Sequence, residues 1–454
     1  MPKIPFPLGL EGEENLPHTR RSLQNCWNSL DGQIIKRPGI TAITTTGFVA
    51  RGQFVWNGSL YQVASQNLIK ITNTTTGAFS VIGTIAGNEV VETAIGFNTA
   101  VIVVKGSTGR IYTLNKSDTL VDIRGNSNFV SSTDVAHING RFVYIPFNGD
   151  PAFFSDVGAA GTVQSTSFFD AEELPDLNNS VFNFSNDLYI GGTDSFQIFR
   201  NVTSTQVFAG IQGSRIDNGY IGALIEYNET FLFIGREKEQ DFGIYAIGQG
   251  TAPKISNHAV DLILSTYSQD QLKAALGSRY KWRGYDIAVF TLPDDTLGFY
   301  GGNWHVLDTE INGTTETWSA GFLTQFEGTY FSAFEDKIGK LSTLNTDYGE
   351  AITRIIDIGF QAPENDFFSC QSIELGISQG FSSDPGTVAI RMSKDNVLFG
   401  PHVYKDLGDL GKYANKLEWN DPGGLGSYNG FMGARIYTRG DVNFSADYFN
   451  ANFR

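Results

Sequence analysis

Cysteine is almost missing: the 454-residue chain has two, Cys26 and Cys370, far apart. That excludes a disulfide framework and a thiolate metal site, and two reduced, unpaired thiols of a protein made in a cytoplasm are expected. The five histidines, His18, His137, His258, His305 and His402, are scattered with no pairing at i, i+2 or i+4, so no metal site is expected from them. No run of about 18 apolar residues occurs, which argues against a membrane-spanning helix. The opening stretch, MPKIPFPLGLEGEENLPHTRR, has no charged segment leading into an apolar one, so a signal peptide is not expected. Basic residues are also scarce, 32 Lys and Arg against 48 Asp and Glu, a formal charge of −16. Gripping DNA by counterion release needs a basic surface, so that mode is excluded. Enclosing DNA without holding it is not.

What the chain has in quantity is glycine (51), phenylalanine (35) and tyrosine (18), a composition suited to all-β structure with many tight turns. The segment FVWNGSLYQV, residues 54–63, is two alternating runs folded around Asn57-Gly58. Comparable hairpins follow, and their first turn residues fall at 57, 98, 139, 185, 228, 283 and 327, giving spacings of 41, 41, 46, 43, 55 and 44. A period in the low forties with several strands per unit is that of β-propeller blades. One four-stranded blade cannot cover both its faces, whereas blades stacked around an axis cover each other. Strand centres at 100–104 and 231–234 are apolar on both sides, as such stacking requires. Seven turns argue for seven blades, and six stay open if one hairpin lies elsewhere or if a blade is shared between the chain ends. In the unit 134–170, strands are expected around the Asn139-Gly140 turn, after a turn at Asn148-Gly149-Asp150-Pro151, and near 162–168.

The one long spacing contains NHAVDLILSTYSQDQLKAALG, residues 257–277, which reads as two short helices. Val260, Ile263, Leu264 and Tyr267 share one face, Ser268 and Gln271 form a capping box, and Gly277 suits the position just past a helix end. Such an insert would cover a propeller face or serve an oligomer contact. Residues 1–45, with Pro2, Pro5, Pro7 and Pro17, read as an extended arm that orders on docking. The propeller then spans 46–348. After Tyr348-Gly349 the strands lengthen, at 352–360, 372–378, 387–393, 416–420, 433–438 and 447–453, and 349–454 is expected to be a β-sandwich. The fold class is all-β: a propeller of six or seven blades with a short helical insert, plus a C-terminal β-sandwich.

Chemistry is hard to find. Gly376-Ile377-Ser378-Gln379-Gly380 spells a nucleophile elbow, but that motif needs a helix after the turn and 381–386 reads as a loop. The pairs Glu172-Glu173 and Asp294-Asp295 sit beside proline as solvated loop acids. The segment Ser393-Lys394-Asp395-Asn396-Val397-Leu398-Phe399 is faintly like the aspartate-box hairpin of sialidase propellers, yet occurs once. Arg37, Arg51, Arg110, Arg141, Arg200 and Arg236 show no convergent set. No catalytic, cofactor or metal residues are assigned, and no cofactor and no enzyme activity are expected.

Over 219–309, and more loosely over about 35–345, the chain resembles the packaged-DNA stabilisation proteins, the tail hub or nozzle proteins of short-tailed phages of the lambdoid podovirus type, while the C-terminal hundred residues match only in texture. The stretches are Gly219-Tyr220-Ile221-Gly222-Ala223, 244–255, 259–268, 286–293 and 303–309, and Lys36-Arg37-Pro38-Gly39-Ile40 also fits. The resemblance implies a virion protein without catalysis, forming a ring, a homo-hexamer, below the portal and adaptor. It implies that the ring continues the DNA channel, retains the genome without binding it specifically, and attaches a needle or plug and tailspikes or fibres. No membrane contact is implied in the resting state, and no residue carries over as a site. The other reading is a propeller glycan hydrolase or a host-glycan-binding adhesin, in which carboxylates or arginines would converge on the propeller axis.

Overall fold

The computed structural model describes every residue except 1, 2, 14, 15, 30, 108, 148, 150, 171–175, 203–205, 239, 240, 249, 363–366, 380–385, 409, 414, 415, 423–426 and 441–443, and not the side chains of 13 and 16–20. Seven antiparallel strand groups follow one another along the chain, at 50–84, 91–122, 132–169, 178–210, 218–247, 276–311 and 322–342, the sixth continuing into a ten-stranded sheet and the seventh into a six-stranded one. Each of the seven turns expected from the sequence joins the first and second strands of one sheet. In six of them both turn residues have positive φ, as at Asn57 (49°) and Gly58 (68°), which matches the right-handed twist of the flanking strands. The second blade turns at Phe97-Asn98 without positive φ. Blade three is closed by a strand of only two residues, Phe168–Phe169. The Asn148-to-Pro151 turn lies partly outside the described residues.

Burial shows why the unit repeats. The buried apolar side chains form one separate cluster between each successive pair of blades, including one between the seventh and the first. Strand Thr99–Val104 feeds two of them by alternation: Ala100, Ile102 and Val104 face blade one, while Val101 and Val103 face blade three. The wheel therefore closes with seven blades. The closing strand comes from the N-terminal side, because Gly39–Thr45 pairs antiparallel with Lys337–Ser342 as the outer strand of blade seven. Gly39 permits this, since a Cβ there would stand 2.5 Å from the carbonyl oxygens of Leu344 and Thr346.

The insert is two helices, α1 (His258–Ser265) and α2 (Gln269–Lys273), with Asn257 capping the first and the Ser268/Gln271 capping box present on the second. Val260, Leu264, Tyr267 and Leu272 are buried in the cluster between blades five and six, and Ile263 packs against it. Gly277 does not terminate a helix; it lies in the inner strand of blade six, Leu276–Trp282. A Cβ on it would meet Ile225 Cγ1 at 2.6 Å and Leu224 O at 2.9 Å, so close approach of the neighbouring blade is what requires glycine.

Beyond the seventh blade, two sheets face each other over one core as a sandwich. The six expected strands are present as Thr353–Gln361, Phe367–Ile377, Thr387–Ser393, Leu417–Asn420, Phe431–Arg439 and Ser445–Phe453. The reading of residues 1–45 as a separate arm differs from what the chain does. Lys3–Ile4 and Ile34–Lys36 pair with Ser445–Phe453, and Leu23–Gln24 pairs with Thr353–Gln361. Ile4, Phe6, Leu23, Cys26 and Ile34 are buried in the sandwich core. Without those side chains the two sheets would expose apolar surface, so this segment belongs to both bodies. Among the described residues no helix is long and apolar enough to cross a membrane.

Candidate functional site: the propeller hub and its seam with the sandwich

The inner strands of all seven blades line a central cavity of about 570 Å³. Carboxylates do converge here, which the sequence did not suggest: Glu92 of blade two, Asp134 of blade three and Glu226 of blade five, together with Lys105, His137 and Tyr220. Glu92 Oε1 lies 2.5 Å from Lys105 Nζ. Asp134 spans two blades, accepting from the backbone N–H of Val135 at 2.8 Å and of Val181 at 2.9 Å. Its pKa is pushed up to about 7, first by loss of water and then by the Glu92 charge, against the pull of Lys105 and the two N–H donors. Glu92 is thus paired within blade two and Asp134 ties blade three to blade four, so neither stands as a free acid or a free nucleophile.

The second concentration of charge is fully buried, where the outer strand of blade six meets the sandwich. Asn303–Ile311 pairs in parallel with Leu23–Gln24, which in turn pairs with Thr353–Gln361, so one sheet runs from propeller into sandwich. Behind it Arg37 makes a bidentate pair with Asp347 (2.5 and 3.0 Å), both side chains wholly excluded from solvent. Arg37 also donates to Asn25 Oδ1 at 2.7 Å, Asp308 O at 2.6 Å and Pro38 O at 3.0 Å, and its guanidinium lies 5.0 Å over Trp318. Asn25 Nδ2 donates to Asp308 Oδ1 and to Thr353 O, and Thr309 Oγ1 donates to Asp347 Oδ2. Burial pushes Asp308 up to about 6, opposed by the Asn25 hydrogen bond and the Arg37 charge. The network ties the N-terminal segment, blade six, blade seven and the sandwich with every Arg37 donor group engaged. Arg37 stood in the sequence beside Pro38-Gly39, and only its pairing with residues some 300 positions away gives it a role.

The other arginines satisfy local partners. Arg51 donates to the carbonyls of Ser65, Ile85 and Glu89; Arg110 pairs with Asp122, Arg200 with Asp187 and Arg236 with Asp194; Arg141 donates to Ser155 O. Asp295 is not merely a solvated acid, since it accepts from Tyr267 Oη at 2.5 Å and pins the helical insert. Glu172-Glu173 lies outside the described residues. Ser378 follows the long strand Phe367–Ile377 and its N–H bonds Ser445 O, so the elbow letters fall at a strand end. Gly380 and most of the following loop are outside the described residues. Asp395 accepts from the N–H of Val397 and Leu398 in a hairpin connection of the sandwich, and these donors hold its carboxyl low. His305 is buried under Gly298, which lowers its pKa to about 3. Both cysteines are free and buried in the sandwich core, their thiols pushed up to about 12 and 11. Among the described residues no group of three or more His, Cys, Asp or Glu could hold a metal ion.

Comparison with known proteins gives two sequence findings. Residues 14–347 match the family model described as Bacteriophage P22 Gp10, beta-propeller. The tail hub protein gp10 of Salmonella phage P22 is 19% identical over 438 residues, covering 91% of this chain and 90% of that protein. Of solved structures, virginiamycin B lyase from Staphylococcus aureus has a TM-score of 0.44 at 14% identity, covering 67% of this chain and 98% of that one. PorZ from Porphyromonas gingivalis has 0.40 at 9%, covering 74% and 44%.

Proposed function

The chain belongs to the bacteriophage P22 Gp10 β-propeller family, and from that premise we propose that copies of it form a ring that closes a DNA-filled phage head. It is a structural tail protein, and its place is the virion. In this reading six copies assemble below the portal and adaptor, continue the DNA channel, retain the genome, and carry a needle or plug and tailspikes or fibres. The chain is made in the host cytoplasm, in keeping with its two free thiols.

The observation that carries the reading is the size and filling of the hub. A cavity offering about 570 Å³ to the centres of water molecules, spread along six-residue strands of roughly 20 Å, averages only about 9 Å from wall to wall. A DNA duplex is wider than its own major groove of about 12 Å, so no duplex threads a propeller. Any DNA channel must therefore lie between copies, which makes a ring the form this protein needs for the role. A chain of net charge −16 would line such a channel with acidic or neutral surface, and DNA would slide rather than stick. The partners that hold Glu92 and Asp134 weigh against a glycan hydrolase or adhesin reading.

Imaging the purified protein alone and added to filled heads that lack it tests the proposal. Rings with a central opening wide enough for duplex DNA, and heads that keep their DNA only after addition, are expected. A lumen continuously lined by Lys and Arg, or release of sugar from host glycans by the purified chain, would overturn it.

A further inference from the structure

A second cleft, of about 350 Å³, opens where the inner hairpin of blade six, the strand pair Cys26–Asn28/Ile34–Lys36 and the last sandwich strand meet. Its floor is the buried rings of Trp27 and Phe444, and its walls are Trp282 and Tyr285, with Trp27 and Tyr285 edge-to-face at 5.8 Å. Arg283 supplies an exposed cation, while Lys36 lines the cleft with its ammonium donating to Asn345 Oδ1 at 2.7 Å and Thr343 O at 3.3 Å, and no acidic side chain is among the described lining. In a protein carrying 48 acids this is an unusual composition. Trp, Tyr and Arg around a rigid pocket are also the residues that dominate interface energetics.

The turn itself points the same way. Arg283 is exposed, lies 6.0 Å over the Trp282 ring and forms no ion pair among the described residues. It also holds φ of 49° at the first turn position, where blades one, three and five have Asn57, Asn139 and Asn228, blade four Ser185 and blade seven Glu327. Asparagine tolerates that left-handed conformation, whereas a long side chain does so at a conformational cost. Asn would serve the turn at least as well, so nothing in the turn itself calls for the arginine.

Resting on the ring reading above, we propose that this cationic aromatic cleft receives an acidic surface segment of the next copy of the chain. Head-to-tail ring closure requires each copy to carry both halves of a contact. This chain carries a cation-bearing pocket on one side and a surplus of carboxylates elsewhere. The complementarity of sign selects a second copy over a basic partner.

The test uses the full chain and three proteins: wild type, Arg283→Asn and Trp282→Ala. Self-association is followed by sedimentation velocity over a concentration series at low and moderate salt, with thermal melts in parallel. Arg283→Asn installs the turn residue of blades one and three, so its melting temperature should equal or exceed the wild type's. Its self-association should weaken by about tenfold or more and lose part of its salt dependence. Trp282→Ala should weaken association similarly. If both variants associate like the wild type, the cleft assignment is overturned and the ring stands. If the variants form rings normally but fail to hold a tailspike or fibre, the occupant is a different protein and the proposal is overturned. A wild-type chain that stays monomeric alone and on filled heads lacking it overturns both readings.

Discussion

At the residue scale, the molecule depends most on charges it has buried. Arg37 and Asp347 are both wholly excluded from solvent, so removing one leaves the other uncompensated. Arg37→Ala should destabilise the protein by about 3–5 kcal/mol in denaturant unfolding. Replacing both, as Arg37→Met with Asp347→Leu, should recover much of that loss. Asp134 behaves differently because its folded pKa, about 7, lies above the value of about 3.9 for an unfolded aspartate. The folded state then binds the proton more tightly than the unfolded one. The resulting stability is fully present below about pH 4 and is lost as pH rises through 7. The stability of Asp134→Asn relative to wild type should therefore rise between pH 4.5 and 8 and level off above. A flat difference across that range in paired urea titrations would show that Asp134 is not held in this state. Asp308, also raised, makes the stability of both proteins fall with rising pH in the same way and cancels from their difference.

At the element scale, two features test the packing of the wheel. The capping box on α2 should make Ser268→Ala cost about 1 kcal/mol, with the effect confined to the insert between blades five and six. Gly277→Ala brings a methyl group against Ile225 and a backbone carbonyl of the neighbouring blade, and should cost about 1–3 kcal/mol by thermal melting. The hairpins were legible because a two-residue turn between alternating runs is a local pattern. The six long strands of the sandwich were legible for the same reason. The strands of residues 1–45 were not, since elements of two or three residues such as Lys3–Ile4 and Leu23–Gln24 carry no periodicity. Their identity comes from partners more than 280 residues away, such as Val306 and Phe449. Gly277 was misread because a glycine after a helix and a glycine under a crossing strand look alike in sequence.

At the scale of the whole molecule, chain start and chain end are locked together. Deleting 1–45 removes the outer strand of blade seven, strands from both sandwich sheets and Arg37 at once. The truncated chain should lose its cooperative melt and be cleaved rapidly by protease, whereas an independent arm would come off without effect. With its acidic balance the intact protein should leave duplex DNA unshifted in gels even at low salt.

The repeat, the apolar content of both strand faces and the scarcity of basic residues were determined by sequence alone, because each is a property of neighbouring residues or of composition. Tertiary structure decided the seventh blade's closure, the convergence of Glu92, Asp134 and Lys105 on the axis, and the buried network at Arg37. Those features join side chains separated by tens to hundreds of residues, and such distances are closed only when the wheel is.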